Sequence, residues 1–271
     1  MIDISAIRTW LFVPATRPER IPKAFAAGAD AVIVDWEDAV EADNKNRARQ
    51  CLDNYHGTPV WLRLNAASSS EHAADLAAAT ALQSKISGVL LPKAETATSI
   101  AHIAQTLGKP VLAVIETAQG MVGLPEIARA KGLAGLSYGC LDLANQLGLA
   151  TGTEAAETLF DRIRTDLLLH SAANNLTAPI ESIFPDFRNE TGLRAYVEKW
   201  RDMGMGGMLC IHPTQIATVH HTLQASAEAL AFARRVCAAA EESGLAVFHL
   251  DGQMIDLPVI LRARRLLARN P

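Results

Sequence analysis

At 271 residues, with 49% hydrophobic content, four cysteines and a formal net charge of −4, the chain has room for one large domain or two ordinary ones. Mild acidity and a pI near 6.1 give no electrostatic reason to expect nucleic acid as a partner. Cys51, Cys140, Cys210 and Cys237 are scattered without C-x-x-C or Cys/His ligand spacing, so neither a disulfide framework nor a zinc site is expected, and free thiols suit a reducing, cytoplasmic setting.

In chain order, short β-rich runs alternate with longer helical patterns. The runs are TWLFVP from Thr9, DAVIVDW from Asp30, PVWLRLN from Pro59, GVLLP from Gly88, PVLAVIE from Pro110, GLSYG from Gly135, APIES from Ala178 and GMLCIH from Gly207. Several are continuously apolar, the pattern of parallel strands covered on both faces. Ala-rich stretches with helical spacing separate them, including 71–84 and 94–107. Gly28 and the Gly108-Lys109-Pro110 step mark helix ends before the second and fifth runs.

Eight β/α repeats in roughly 250 residues predict an α/β fold, a (β/α)8 TIM barrel, rather than a doubly wound open sheet. The predicted division is a barrel over residues 1–221 and a C-terminal helical extension over 222–271, two helices around AVFHLDGQMID. The basic run from Arg262 alternates with Leu and Ala and reads as a solvated helix face. No basic-then-apolar leader begins the sequence and no apolar run reaches membrane-spanning length, so no membrane partner is expected. GMGGM from Gly204 precedes a strand, which makes it a helix-ending turn and not a phosphate loop.

Barrel chemistry gathers at the C-terminal ends of strands. Arg17, Arg20 and Lys23 follow the first run; Asp35, Glu37 and Asp38 the second; Arg63 the third; Lys93 the fourth; Glu116 the fifth. Asp142, Glu181 and His212 follow the sixth, seventh and eighth. Two carboxylates with open positions, Glu116 and Asp142, suit Mg2+ or Mn2+ completed by water and substrate oxygens. Each residue has a plainer role open to it, a helix N-cap for Asp142 and an ion pair with a neighbouring strand's cation for Glu116. Lys93 would form a Schiff base if burial lowered its pKa, but the surrounding acids favour its charged form and a neutralising role. Strand alternation turns Asp35 away from its neighbours and assigns it to structure.

Eight segments in order carry a resemblance: RTWLFVPATRPERIPKA, DAVIVDWEDAVEADNKNRAR, WLRLN, LLPKAE, AVIETAQGMVGLPEIA, YGCLDLANQLG, GMGGMLCIHPTQIATVH and DGQMIDLPVILRA. Together they resemble the citrate lyase β-subunit/malyl-CoA lyase family of the HpcH/HpaI aldolase group, from Arg8 to Ala263. The resemblance implies Mg2+-dependent cleavage of a 3-hydroxyacyl-CoA (citramalyl-, malyl- or citryl-CoA) into acetyl-CoA and an oxo acid. It implies Glu116 and Asp142 as metal ligands and Arg63 as the group holding the substrate's carboxylate or carbonyl oxygen. Glu37 and Asp38 match acids that organise metal-bound water, and Phe12, Arg17 and Lys23 match positions lining the CoA site. Asp256 matches an aspartate that enters a neighbouring subunit's active site, implying a homo-oligomer, trimer or hexamer. Ala15, the Trp of DWED and the IESIF segment depart from the usual pattern. A citrate lyase β subunit acting on an acyl carrier protein's thioester, an oxo-acid aldolase without CoA, and a non-catalytic binding barrel remain open.

Overall fold

The computed structural model describes residues 4–269. Eight parallel strands close on themselves in sequence order, β1 beside β2 and so on round to β8 beside β1. They are β1 (Thr9–Pro14), β2 (Ala31–Asp35), β3 (Val60–Arg63), β4 (Ile86–Leu91), β5 (Val111–Ile115), β6 (Leu133–Tyr138), β7 (Ile180–Glu181) and β8 (Gly207–Cys210). Each lies within or across one of the eight apolar runs. Every residue of β2 and β5 is buried, as strands with a barrel interior on one side and helices on the other require.

The barrel is filled rather than hollow. Trp10 and Trp61 meet edge to face inside it, centroids 5.0 Å apart, within one cluster with Ile33, Leu90, Leu112 and Val114. Gly88 makes room for this pair: a Cβ there would overlap the Trp61 ring and lie 2.8 Å from the Pro110 carbonyl.

Outside lie α1 (Ile21–Ala26), α2 (Lys45–Arg49), α3 (His72–Ala81), α4 (Ala97–Leu107), α5 (Ala118–Ile127), α6 (Cys140–Leu147), α7 (Glu154–Ala173), α8 (Glu190–Met203) and α9 (Thr214–Leu223). Threonine hydroxyls cap three of them, Thr96 to Ser99 N–H, Thr117 to Gly120 N–H and Thr153 to Ala156 N–H, each satisfying an orphan donor of a first turn. Gly108 ends α4 and Gly204 ends α8 in the left-handed conformation, as the sequence reading expects.

Contacts divide the chain into two compact units, Met1–Thr222 and Leu223–Pro271. The second contains α10 (Ala227–Ser243) and α11 (Leu257–Arg269), which bury Ala233, Val236, Ile255, Ile260 and Ala263 together. The segment between the helices is an antiparallel hairpin, β9 (Phe248–Leu250) with β10 (Gln253–Ile255). Asp251 and Gly252 turn it, both with positive φ (51° and 77°), the conformation an Asp-Gly hairpin turn needs. No helix among the described residues is long and apolar enough to cross a membrane.

Candidate active site

The ends of β2, β3, β5 and β6 frame a cavity of about 430 Å³. Its polar lining comes from Asp35, Asp38, Arg63, Glu116, Asp142 and Ser182. Register explains the first pairing: Asp35 and Arg63 are direct partners in the β2–β3 ladder. The guanidinium gives Nε to Asp35 Oδ1 at 2.8 Å and Nη2 to Oδ2 at 2.5 Å, a bidentate fork. The same carboxylate accepts the backbone N–H groups of Glu37 (2.8 Å) and Ala39 (3.2 Å). Asp35 therefore fixes both the arginine and the acidic loop after β2. It does not face away from its neighbours, because the chain turns after Asp35 and strand alternation ends there.

Arg63 also stacks its guanidinium over the Phe12 ring, 4.9 Å from the centroid, an attraction between cation and ring face. Its Nη1 lies 3.1 Å from Glu37 Oε2 and 3.4 Å from Asp38 Oδ2. Burial opposes the arginine's charge, but the hydrogen bonds from Asp35 and the acids around it hold its pKa above the ordinary value.

Glu37 and Glu116 are linked by one lysine. Lys93 Nζ is 2.6 Å from Glu37 Oε1 and 3.8 Å from Glu116 Oε1, while its backbone N–H donates to Glu116 Oε1 at 2.9 Å. Lys93 reaches this geometry with φ +47°, a conformation that costs a non-glycine residue on the order of 1 kcal/mol or more. Burial works against its ammonium charge, yet the Glu37 hydrogen bond, Glu116 and Asp38 outweigh it and raise its pKa. That keeps the amine protonated, unlike a Schiff-base lysine. Burial raises Glu37 in spite of Arg63 and Lys93. Its Oε2 is buried without a hydrogen bond, because the 3.1 Å approach of Arg63 falls outside hydrogen-bonding geometry.

Glu116 follows β5 directly and precedes the Thr117 cap of α5. Burial, then repulsion from Glu37 and Asp142, pushes its carboxyl up to about 7 despite Lys93 and Arg63. Gly139 lies against this carboxylate, and any Cβ there would overlap it. Asp142 sits in the first turn of α6, whose cap position is Gly139, so the N-cap alternative does not hold. The plainer role for Glu116 does hold in part, since Lys93 is its cation. Two carboxylates of hard oxygen donors, one of them deprived of full charge compensation by burial, suit a divalent cation that takes its other ligands from water and substrate. The residues present fit such an ion.

Beneath this rim lies a second charged group, of which the sequence reading places only Glu181, after the seventh run, and none of its partners. Glu181, fully buried, accepts hydrogen bonds from Tyr138 and Tyr196 hydroxyls (both 2.5 Å), Arg164 Nε (2.9 Å) and Ser182 N–H (3.0 Å). Ser182 Oγ in turn accepts the Cys140 N–H at 3.1 Å, tying the start of α6, and hence Asp142, to β7. Lys45 pins the other side, donating to the Trp36 and Glu37 carbonyls and to Asn65 Oδ1, each at 2.8 Å.

The cavity thus gathers Phe12, Arg63, Asp38, Glu116 and Asp142, with Glu37 just behind them. Arg17 and Lys23 are exposed and outside its lining; Arg17 pairs with Glu19 at 2.6 Å. Asp256 belongs to the smaller unit, where its Oδ1 accepts the Val259 N–H at 3.3 Å at the start of α11. His212 stacks on Phe187, centroids 4.4 Å apart, and its Nδ1 lies 2.8 Å from Thr214 Oγ1, a structural setting.

A profile of the HpcH/HpaI aldolase/citrate lyase family matches residues 8–213. The chain belongs to the HpcH/HpaI aldolase/citrate lyase family. A citrate lyase subunit beta-like protein of Mycobacterium tuberculosis (strain ATCC 25618 / H37Rv) is 37% identical over 265 residues, 96% of this chain and 94% of the relative. A (3S)-malyl-CoA thioesterase of Cereibacter sphaeroides (strain KD131) is 33% identical, over 97% of this chain and 94% of that protein. Among solved structures, CitE of M. tuberculosis in complex with magnesium, acetoacetate and coenzyme A superposes with TM-score 0.85 and 35% identity, covering 98% of this chain and 99% of that one. Carbon–carbon lyase chemistry characterises this HpcH/HpaI group of citrate lyase β-like proteins, and the sequence resemblance to it holds.

Proposed function

We propose that the protein is a Mg2+-dependent carbon–carbon lyase that cleaves a 3-hydroxyacyl-CoA of the malyl type to acetyl-CoA and an oxo acid. The observation that carries this reading is the arginine fork of Arg63, oriented by Asp35, over a cavity that also presents Glu116 and Asp142. The magnesium and coenzyme A bound by the CitE neighbour support it.

Glu116 and Asp142 would hold the ion. When bound, Mg2+ supplies Lewis acidity to oxygens of the substrate's hydroxyl and carboxylate. Arg63, already fixed through Nε and Nη2, directs Nη1 toward negative charge on those oxygens. The hydroxyl proton leaves to solvent water, the electron pair of the carbon–carbon bond goes to the carbon α to the thioester, and that carbon takes up one proton. Asp256 of a neighbouring copy delivers the proton, and in the synthetic direction removes it. Glu37 and Asp38 orient water beside the ion, while Arg17 and Lys23 meet CoA phosphates and Phe12 lines the thioester's path. This assigns a homo-oligomer, and sedimentation that finds only monomers during turnover removes the role of Asp256 in trans.

A thioesterase reading has its own support in the 33% identical malyl-CoA thioesterase relatives. One assay separates the readings: citramalyl-, malyl- and citryl-CoA are supplied with Mg2+ or with EDTA and the products resolved. The lyase yields acetyl-CoA and an oxo acid only with Mg2+. Free CoA with an intact hydroxy acid points to thioester hydrolysis. If free CoA esters stay intact while a citryl-acyl carrier protein is cleaved, the chain is a citrate lyase β subunit.

A further inference from the structure

The acidic loop after β2 is held through both kinds of backbone group. Asp35 accepts the N–H groups of Glu37 and Ala39. The loop's carbonyls meet a cation instead: Lys45 Nζ donates to the Trp36 and Glu37 oxygens and to Asn65 Oδ1, each at 2.8 Å. An ammonium group has three donors, so Lys45 has none left for a substrate. All three partners are neutral oxygens, and two belong to consecutive residues. Successive carbonyls alternate in direction along an extended strand, so a cation that holds both also holds the turn between them.

Asn65, two residues beyond β3 and 4% exposed, completes the grip. Its Nδ2 donates to the Trp36 carbonyl at 3.0 Å and to Asp75 Oδ2 at 2.7 Å, and its backbone N–H reaches the same Asp75 oxygen at 2.7 Å. Asp75 is fully buried on α3, and its Oδ1 takes Arg49 Nε at 2.8 Å. The carboxylate thereby orients the Asn65 amide, nitrogen toward two acceptors and oxygen toward Lys45. At the other end of this chain of contacts, Glu37 Oε1 accepts from Lys93 Nζ at 2.6 Å, and the Lys93 N–H donates to Glu116 Oε1 at 2.9 Å. Neither Lys45, Asn65 nor Asp75 lines the cavity.

Resting on the reading of Glu116 and Asp142 as metal ligands, we propose that Lys45 and Asn65 are positioning residues of the active site: they clamp the Trp36 and Glu37 carbonyls and so hold the Glu37 side chain against Lys93 and, through it, Glu116. Asp75 and Arg49 anchor the clamp to α3 and α2. The clamp acts on the metal site from behind the acidic loop and touches neither ion nor substrate.

The test reads Mn2+ affinity of the full chain by electron paramagnetic resonance, with urea unfolding run alongside. Lys45→Met keeps the stem and removes the donors. Loss of a positive charge by itself tightens the binding of a cation, whereas loss of the clamp loosens the site, so the two effects have opposite signs. Mn2+ affinity should fall about tenfold, the scale expected when a group supporting a metal ligand is lost; unchanged or tighter binding overturns the proposal. In a Glu37→Ala background the same substitution should change Mn2+ affinity less than about twofold, because its effect runs through Glu37. An undiminished fall there overturns the positioning role and leaves Lys45 a structural residue. Lys45→Arg covers the case in which Lys45→Met does not fold: it keeps the charge, but a planar fork cannot aim three donors at these oxygens. The same fall is expected, and parental affinity overturns the three-point clamp. A parent protein that binds no Mn2+ removes the metal reading and the inference with it; parental Mn2+ binding that Lys45→Met leaves intact removes the clamp alone.

Discussion

Asp35 and Arg63 face each other across adjacent strands and share two hydrogen bonds of 2.8 and 2.5 Å, with Asp35 2% and Arg63 15% exposed in their side chains. A guanidinium so placed has no alternative partner of equal geometry, since Glu37 Oε2 at 3.1 Å makes no hydrogen bond to it. Asp35→Asn keeps the shape but removes the charge and one acceptor. Breaking a largely buried pair in this way should lower stability by about 3 kcal/mol and reduce thioester turnover, because Arg63 then swings toward Glu37 and Asp38. Urea unfolding checks the first effect, and a variant as stable as the parent would show that the fork is dispensable.

Lys93 carries the clearest exclusion. Its ammonium lies between Glu37 and Glu116 and its pKa is raised. Borohydride added with pyruvate should leave the protein's mass unchanged, since a protonated amine does not attack a carbonyl. A reduced adduct mapped to Lys93 would reinstate the Schiff-base aldolase.

What the sequence disclosed and what it hid follow from the range of the forces involved. VLAVI and AVIVD announce buried parallel strands because two-sided burial makes a continuous apolar run, and β5 and β2 lie within those runs. Glu116 and Asp142 were legible as a pair because each follows a strand that the pattern locates. Strand alternation does not extend past Asp35, the last residue of β2, so it does not set the side Asp35 faces relative to Glu37 and Asp38. The hairpin between α10 and α11 has a local signal, the Asp251-Gly252 turn, within a stretch too short to stand out between two helical patterns. Glu181 is different: its partners Arg164, Tyr138 and Tyr196 come from α7, β6 and α8. Only packing of those elements brings them together, and no spacing in the chain encodes it.

The carboxyl of Glu116, raised to about 7 by burial and by Glu37 and Asp142, gives the metal-free protein a defined pH dependence. Its unfolded value is near 4.5, so between these two pH values the folded state binds more protons than the unfolded one. The contribution to stability is therefore fully present below about 4.5 and is lost as pH rises through about 7. If Glu116 holds Mg2+ as proposed, the ion needs the carboxylate and competes with that proton. The rise in melting temperature on adding Mg2+ over EDTA should thus be small at pH 6 and grow through about pH 7 to 8. A Mg2+ increment that is flat over this interval would show that Glu116 is not a ligand.

Asp256 offers a way to separate chemistry from folding. Its Oδ1 accepts the Val259 N–H at the first turn of α11, a bond that asparagine also makes. Asp256→Asn should keep the melting temperature within a degree or so of the parent's, as expected of a preserved cap, and keep metal affinity, while losing proton transfer and turnover. Mixing it with Arg63→Ala and allowing subunits to exchange should restore part of the activity, because some sites then combine an intact Arg63 with an intact Asp256. Full activity in Asp256→Asn alone removes the residue from the mechanism.

Glu181 supplies the last test, because it joins β7 to the element that bears Asp142. Its side chain takes both tyrosine hydroxyls and Arg164, and Ser182 beside it anchors the Cys140 N–H at the start of α6. Burial and the neighbouring glutamate raise both tyrosines well above their usual range, so they act as neutral donors throughout ordinary pH. Glu181→Gln strands a buried guanidinium with only the half-exposed Asp161 at 2.7 Å and Glu157 at 3.5 Å, and should cost about 3 kcal/mol. Ser182→Ala is the milder probe: it removes one acceptor, costs on the order of 1 kcal/mol, and loosens the turn carrying Asp142. Mn2+ affinity read by electron paramagnetic resonance should fall several-fold in Ser182→Ala while Arg63-dependent binding of pyruvate in the presence of saturating Mn2+ stays near the parent value. Unaltered Mn2+ affinity would mean that Asp142 is held by α6 itself, without help from β7.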